Sequence, residues 1–171
     1  MKNPKNLIIL AISLFIVIIV LITTFFLLIK GEKLTDKNSV KVYFVKSFQV
    51  TDFRLTPVRR KLSIDKSRLT IAITELLKGP SKKEKKAGFY TEIPSTTKLI
   101  EIKETPKDIT INLSKDFELG GGSTSMGMRL KQLVNTALDA EKDKPVYLEL
   151  QEKRVESIGG EGVIVTQPLS R

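Results

Sequence analysis

Neither cysteine nor histidine occurs anywhere in the 171 residues, and tryptophan is absent as well. Without cysteine there is no disulfide, thiol nucleophile, zinc–thiolate site or lipid-modified N-terminal Cys. Without histidine the commonest metal ligand and the usual general base at neutral pH are missing. A Ser-His-Asp relay cannot be assembled from this alphabet. Acidic residues are also scarce, 19 Asp and Glu against 29 Lys and Arg, leaving a net charge of +10. Such an excess suits an anionic neighbour: a lipid headgroup, a wall polymer or an acidic protein partner. The plainer reading of the same charge is a solvated, lysine-rich surface.

Charge is wholly missing from Leu7 to Ile29, 23 residues broken only by the hydroxyls of Ser13, Thr23 and Thr24. As a helix that stretch would rise roughly 34 Å, enough for a hydrocarbon core of about 30 Å. A cleaved signal peptide would have a shorter apolar core of about 7 to 15 residues and a small-residue cleavage site, whereas this stretch ends Phe25-Phe26-Leu27-Leu28-Ile29-Lys30. The expectation is a tail at 1–6, an uncleaved transmembrane anchor at 7–29, a juxtamembrane linker at 30–39 and one domain at 40–171. Lys2 and Lys5 precede the anchor and Lys30, Lys33 and Lys37 follow it, so flanking charge does not set the orientation. A short tail and a long following domain fit a single-pass protein of the cytoplasmic membrane whose C-terminal part is extracytoplasmic. Residues 30–171 carry a net charge of +8.

Beyond the linker, Val40–Val45 is β-branched and aromatic and predicts a strand; Leu55–Leu62 predicts a second, placed at an edge or bulge by Pro57. Asp65 is positioned as an N-cap, and Leu69, Ala72, Ile73, Leu76 and Leu77 recur at helical spacing until Gly79-Pro80 ends the pattern. Ser81–Lys86 is a loop or an extra helical turn, and Glu92-Ile93-Pro94 is extended. Leu99–Ile102 and Ile109–Leu113 predict a hairpin. After Gly120-Gly121-Gly122, the residues Met126, Leu130, Leu133, Val134, Ala137 and Leu138 trace one helical face. Val146–Leu150 and Gly162–Val165 are the last strands. The fold class is α+β: a small mixed sheet with two amphipathic helices on one face.

The run Ala72-Ile73-Thr74-Glu75-Leu76-Leu77-Lys78-Gly79-Pro80, followed by Glu84, Gly88, Phe89, Ile93 and Pro94, resembles the signature of the GerMN (sporulation and spore germination) domain. Leu55, Pro57, Val58 and Arg59, then Ile111-Asn112-Leu113-Ser114 with Asp116-Phe117, then Gln132–Leu138 and Pro168–Arg171 extend the likeness over roughly 40–171. The resemblance implies an exported or membrane-tethered bacterial domain, similar in fold to the ring-building motifs of secretion-like assemblies, with no enzymatic activity. One departure is the turn Leu150-Gln151-Glu152-Lys153, where the family usually has an Asp-Gly-like pair. The lipidated Cys and the tandem copy common among relatives are not in this sequence.

Other motifs have structural readings. Gly79-Pro80 terminates a helix. The triple glycine resembles a phosphate cradle but lacks P-loop spacing and its lysine, so capping by Ser123 or Thr124 is expected. Lys82, Lys83, Lys85 and Lys86 with Arg59, Arg60 and Lys61 would form a basic face for lipid or polymer if they lie together. Asp116 with Glu118, and Asp139 with Glu141, have pairing distances in sequence but nothing that sets them across a cleft. Met126 and Met128 fit a core and a helix start. The expectation is therefore an assembly protein of the bacterial envelope without catalytic, cofactor-binding or metal-binding residues. Its expected partners are itself or an envelope protein, with nucleic acid the least favoured. The rival is a binding module for an anionic wall polymer or lipid.

Overall fold

The computed structural model describes residues 4–29, 34–49 and 52–171, with side chains at 4–11 and 26–29 outside the description. It divides into two compact units, Met1–Lys33 and Leu34–Arg171. The first holds the helix α1, Pro4–Ile29. The hydroxyls of Thr23 and Thr24 donate to carbonyls of Ile19, Val20 and Leu21 at 2.9 Å, so the helix satisfies them itself. The described side chains of α1 run from 12 to 25, rising about 21 Å, and no helix among the described residues is long and apolar enough to cross a membrane. The transmembrane part of the expected architecture is thus not carried by the described residues, because the side chains at both ends of 7–29 fall outside the description.

The second unit opens with β1, Ser39–Ser47, antiparallel to β2, Phe53–Lys61, in a continuous register from Ser39↔Lys61 to Ser47↔Phe53. Alternate residues Val40, Val42 and Phe44 are fully buried, as a half-buried strand requires. Pro57 faces Tyr43 on an outer strand, where its missing N–H takes no bond from the ladder. A two-residue strand, β3 at Phe89–Tyr90, pairs with the other side of β1 at Lys46 and Val45 only.

Between them lie α2, Arg68–Lys78, and the short α3, Lys82–Lys86. Ser67 rather than Asp65 caps α2, its hydroxyl accepting from Thr70 N–H at 3.2 Å. Ser81 and Glu84 form a reciprocal capping box that makes α3 a helix despite four lysines in five residues. Gly79 and Gly88 both take left-handed φ, 75° and 86°, and a Cβ on Gly88 would sit 3.0 Å from the carbonyl oxygen of Ser47.

The hairpin β4, Leu99–Glu104, with β5, Ile109–Leu113, forms as expected, with a bulge between Leu99 and Glu101 that leaves Ile100 exposed. A 3₁₀ turn at Lys115–Glu118 then leads to α4, Ser123–Ala140. The strand after it, β6 at Val146–Leu150, lies parallel to β5, so β5–α4–β6 is a crossover unit and this sheet is mixed. β7, Lys153–Arg154, turns back from β6, and β8, Ser157–Ile158, pairs with β9, Val163–Ile164. The single small sheet of the expectation is instead three: β2-β1-β3, a mixed β4-β5-β6-β7, and β8-β9. α2 and α4 pack on each other and on β1. One core gathers Val42, Phe44, Ile73, Leu76, Ile111, Leu133 and Leu148 from all these elements.

The β6–β7 turn forms without the family's Asp-Gly pair. Gln151 and Glu152 both adopt positive φ, 50° and 65°, the backbone of a two-residue type I′ turn. It is held by Gln151 N–H on the Leu113 carbonyl at 2.9 Å and Glu152 N–H on Asn112 Oδ1 at 3.1 Å. Replacing Gln151→Asn together with Glu152→Gly relieves that conformation and is expected to stabilise the domain by about 1 kcal/mol, read as a rise in Tm of a few degrees.

Arg60 joins β2 to both helices. It makes two 2.7 Å bonds to Glu84 and lies 3.3 Å from Glu75. The bonds from Arg60 hold the Glu84 carboxyl at about 2 against an ordinary 4.5. A depressed folded pKa gives stability that is present above the ordinary value and lost as pH falls toward the folded one. Between pH 4.5 and about 2 the parent should therefore lose about 2 kcal/mol more than Glu84→Gln, by chemical denaturation at stepped pH.

Candidate functional site

α4 is apolar where expected at Met126, Leu133, Val134 and Ala137, but its fully buried face also includes Arg129, Gln132 and Thr136, with Leu130 and Leu138 only partly covered. These three polar residues hydrogen-bond the backbone of β1 and of the segments that precede α4. Tyr43 N–H donates to Thr136 Oγ1 at 3.0 Å, and the Tyr43 carbonyl accepts from Gln132 Nε2 at 3.1 Å. Two helix side chains thereby take the place of a strand beside β1, just where β3 has ended. Gln132 Oε1 accepts from Glu92 N–H at 2.9 Å, so one amide clamps both sides of the gap. Arg129 donates to the carbonyls of Glu92 at 3.0 Å, Leu119 and Gly120 at 3.2 Å, and Phe117. Burial pushes its guanidinium pKa down and the charge of Glu92 opposes that shift.

The outer edge of β6 is closed the same way. Gln167 Nε2 donates to the Leu148 carbonyl at 2.8 Å, and Leu148 N–H donates to Gln167 Oε1 at 3.0 Å; Leu169 N–H reaches the Val146 carbonyl at 2.7 Å. Sequence reasoning missed these roles because Gln and Thr count as surface residues by composition. The available signal was the spacing 129, 132 and 136, which runs alongside the apolar stripe.

The triple-glycine loop does not become an anion site. Gly122 is the N-cap of α4 and no side chain of Ser123 or Thr124 caps it; Ser123 N–H donates to Glu161 Oε2 at 3.0 Å. The Ser123 bonds hold the Glu161 carboxyl below its ordinary range. Glu92 Oε2 accepts from the Ser125 hydroxyl at 2.6 Å in the same cleft, which has a volume near 490 Å³ and aromatic walls at Phe53 and Tyr90. Two carboxylates at the helix N-terminus fill the place a phosphate would take.

The remaining sequence candidates separate. Glu118 accepts from Gly159 N–H at 3.1 Å, Asp139 lies 3.4 Å from Lys41, and Glu141 accepts from Asp143 and Lys144 N–H at 2.8 and 3.2 Å. Among the described residues no three carboxylates gather as a metal site. Arg59 pairs with Asp36 at 2.8 Å and Arg60 with Glu84, so neither joins the exposed lysines of α3 in one free basic face. Apart from single residues such as Ile64, Ile100 and Leu119, the described residues of the second unit expose apolar surface at two places taken up below. One is a groove of about 280 Å³ beside α4, lined by Leu130, Val134 and Ile164, the last 77% exposed. The other is the β1–β2 end, where Phe48 and Phe53 are half exposed.

Comparison with known families matches residues 41–156 to Germane, described as sporulation and spore germination. The chain belongs to the Germane family. A structure of the tandem GerMN domains of the sporulation protein GerM from Bacillus subtilis is similar at a TM-score of 0.59 and 23% identity, over 83% of this chain and 49% of that one. This Germane-family chain therefore spans about half the length of that tandem structure. The first GerMN domain of the same protein, taken alone, is similar at a TM-score of 0.59 and 13% identity, over 78% of this chain and 97% of that one. At these identities the likeness is one of fold. No curated protein matches.

Gln132→Ala would strand the Tyr43 carbonyl and Glu92 N–H inside the fold, at an expected cost of about 3 kcal/mol, whereas Asn135→Ala on the outer side of α4 should cost about 0.5 kcal/mol or less. Urea denaturation of the two variants measures the contrast.

Proposed function

We propose that this chain is a membrane-anchored, extracytoplasmic Germane-family protein that acts by protein–protein assembly at the bacterial envelope, in sporulation or spore germination. The groove beside α4 carries the reading. The edges of the central strands are closed from within by Gln132, Thr136 and Gln167, while Ile164 and its neighbours remain an apolar surface with room for a partner. The proposed occupant is a second domain of the same kind. The similar tandem structure, of which this chain covers 49%, supports that choice, since there two such domains share one chain. The uncharged run 7–29 supports an anchor, and a long domain after it crosses a membrane regardless of flanking lysines. The role is read as non-enzymatic: of the carboxylates that could pair by spacing, Asp139 is engaged with Lys41, and Glu118 and Glu141 with backbone N–H groups. A second reading, binding of an anionic polymer or lipid, is favoured by the exposed lysines of α3.

The unit 34–171 contains the whole core and is suited to light scattering after size exclusion, at low and high salt over a wide concentration range. The expected result is a concentration-dependent dimer or ring that persists in high salt and that Ile164→Asp returns to monomer. A strict monomer at every concentration would overturn self-assembly.

A further inference from the structure

The β1–β2 hairpin ends in an arrangement that neither the fold nor the assembly groove requires. Phe48 and Phe53 are 51% and 48% exposed at the end where Ser47 pairs with Phe53. Cations gather on the Phe48 face, where Lys46 Nζ lies 4.8 Å from the Phe48 ring centre and 5.0 Å from that of Phe89 and the Arg54 guanidinium lies 5.4 Å from Phe48, while Phe53 flanks the hairpin end on the other face, edge-on to Tyr90. The nearby carboxylate, Asp52, is consumed by two 2.9 Å bonds from Arg54. Ser47 N–H donates to the Gly88 carbonyl at 3.0 Å, which brings the end of α3 beside the hairpin. There Lys82, Lys83, Lys85 and Lys86 are exposed, and the one acidic residue of α3, Glu84, is turned to Arg60. Glu92 and Glu161 line the cleft on the Tyr90 side and mark the boundary of the basic region.

We propose that this end of the domain docks onto an anionic lipid surface, Phe48 and Phe53 entering the headgroup layer and Lys46 with the α3 lysines meeting the phosphates. The inference deepens the envelope reading and rests on the domain standing beside a membrane. Large apolar rings flanked by ammonium and guanidinium groups match the layered chemistry of a bilayer interface, apolar below and anionic above. A soluble polyanion would use the lysines and leave the two phenylalanines idle.

The test is flotation of residues 34–171 with vesicles of phosphatidylglycerol and phosphatidylcholine, against vesicles of phosphatidylcholine alone and against soluble polyphosphate, at low and high salt. Binding confined to the anionic vesicles is expected, weakened by salt, and reduced about tenfold both by Phe48→Ser with Phe53→Ser and by changing the four α3 lysines to Gln. Circular dichroism confirms that each variant is folded. Ile164→Asp lies on the other surface and should float like the parent, which separates failure of docking from failure of assembly. Absence of vesicle binding, binding unchanged in the Phe48/Phe53 variant, or binding to polyphosphate in place of vesicles overturns the proposal.

Discussion

The amide of Gln132 completes a hydrogen-bond ladder that the backbone leaves unfinished. β1 has β2 along its whole length on one side, but β3 supplies two residues on the other and stops. The next N–H and carbonyl, those of Tyr43, face the protein interior, where an unpaired pair would cost several kcal/mol by ordinary estimates. Gln132 and Thr136 supply what a longer strand would have supplied. Apolar burial alone would let α4 slide or roll over the sheet, because the hydrophobic effect is nearly indifferent to small shifts. Two hydrogen bonds of fixed length to one residue remove that freedom, and Arg129, bonded to four carbonyls, locks the next turn. The position of β6 follows, since α4 is the crossover that delivers it to β5.

Where local periodicity decided the outcome, the sequence was legible: β1, the body of α2, the β4–β5 hairpin, α4 and β6 lie where apolar spacing put them. What it did not reveal depends on residues far apart in the chain. The parallel pairing of β6 with β5 is settled by packing over more than 30 residues. The N-terminus of α4 is completed by Glu161, which no local capping pattern indicates. At α2 the error was small: Ser67 and Asp65 both suit a cap, and the helix begins at the nearer one. Arg59 and Arg60 seemed part of a basic face because sequence gives charge but not partner, and both partners, Asp36 and Glu84, are more than 20 residues away. The Gln151-Glu152 turn shows the converse, a local preference overridden by the strands it joins.

Arginine and lysine divide the positive charge between them. Arg54, Arg59, Arg60, Arg68, Arg129 and Arg154 each hold a carboxylate or a backbone carbonyl, a use that suits a planar, multidentate group. Most of the lysines of α3 stand free in solvent. Lys41, Lys78, Lys103 and Lys144 take partners too, so it is the α3 lysines above all that give their part of the surface its sign.

Closure of β6 by Gln167 and Leu169 gives the domain a direction in time. Strands β5 and β6 lie at the centre of the larger sheet, yet β7 covers only the far end of β6, and the outer edge at Val146 and Leu148 is not completed until Gln167 and Leu169 have arrived. A chain delivered from its N-terminus, whether by a ribosome or through a membrane pore, would hold nearly all of its core residues before it could seal them.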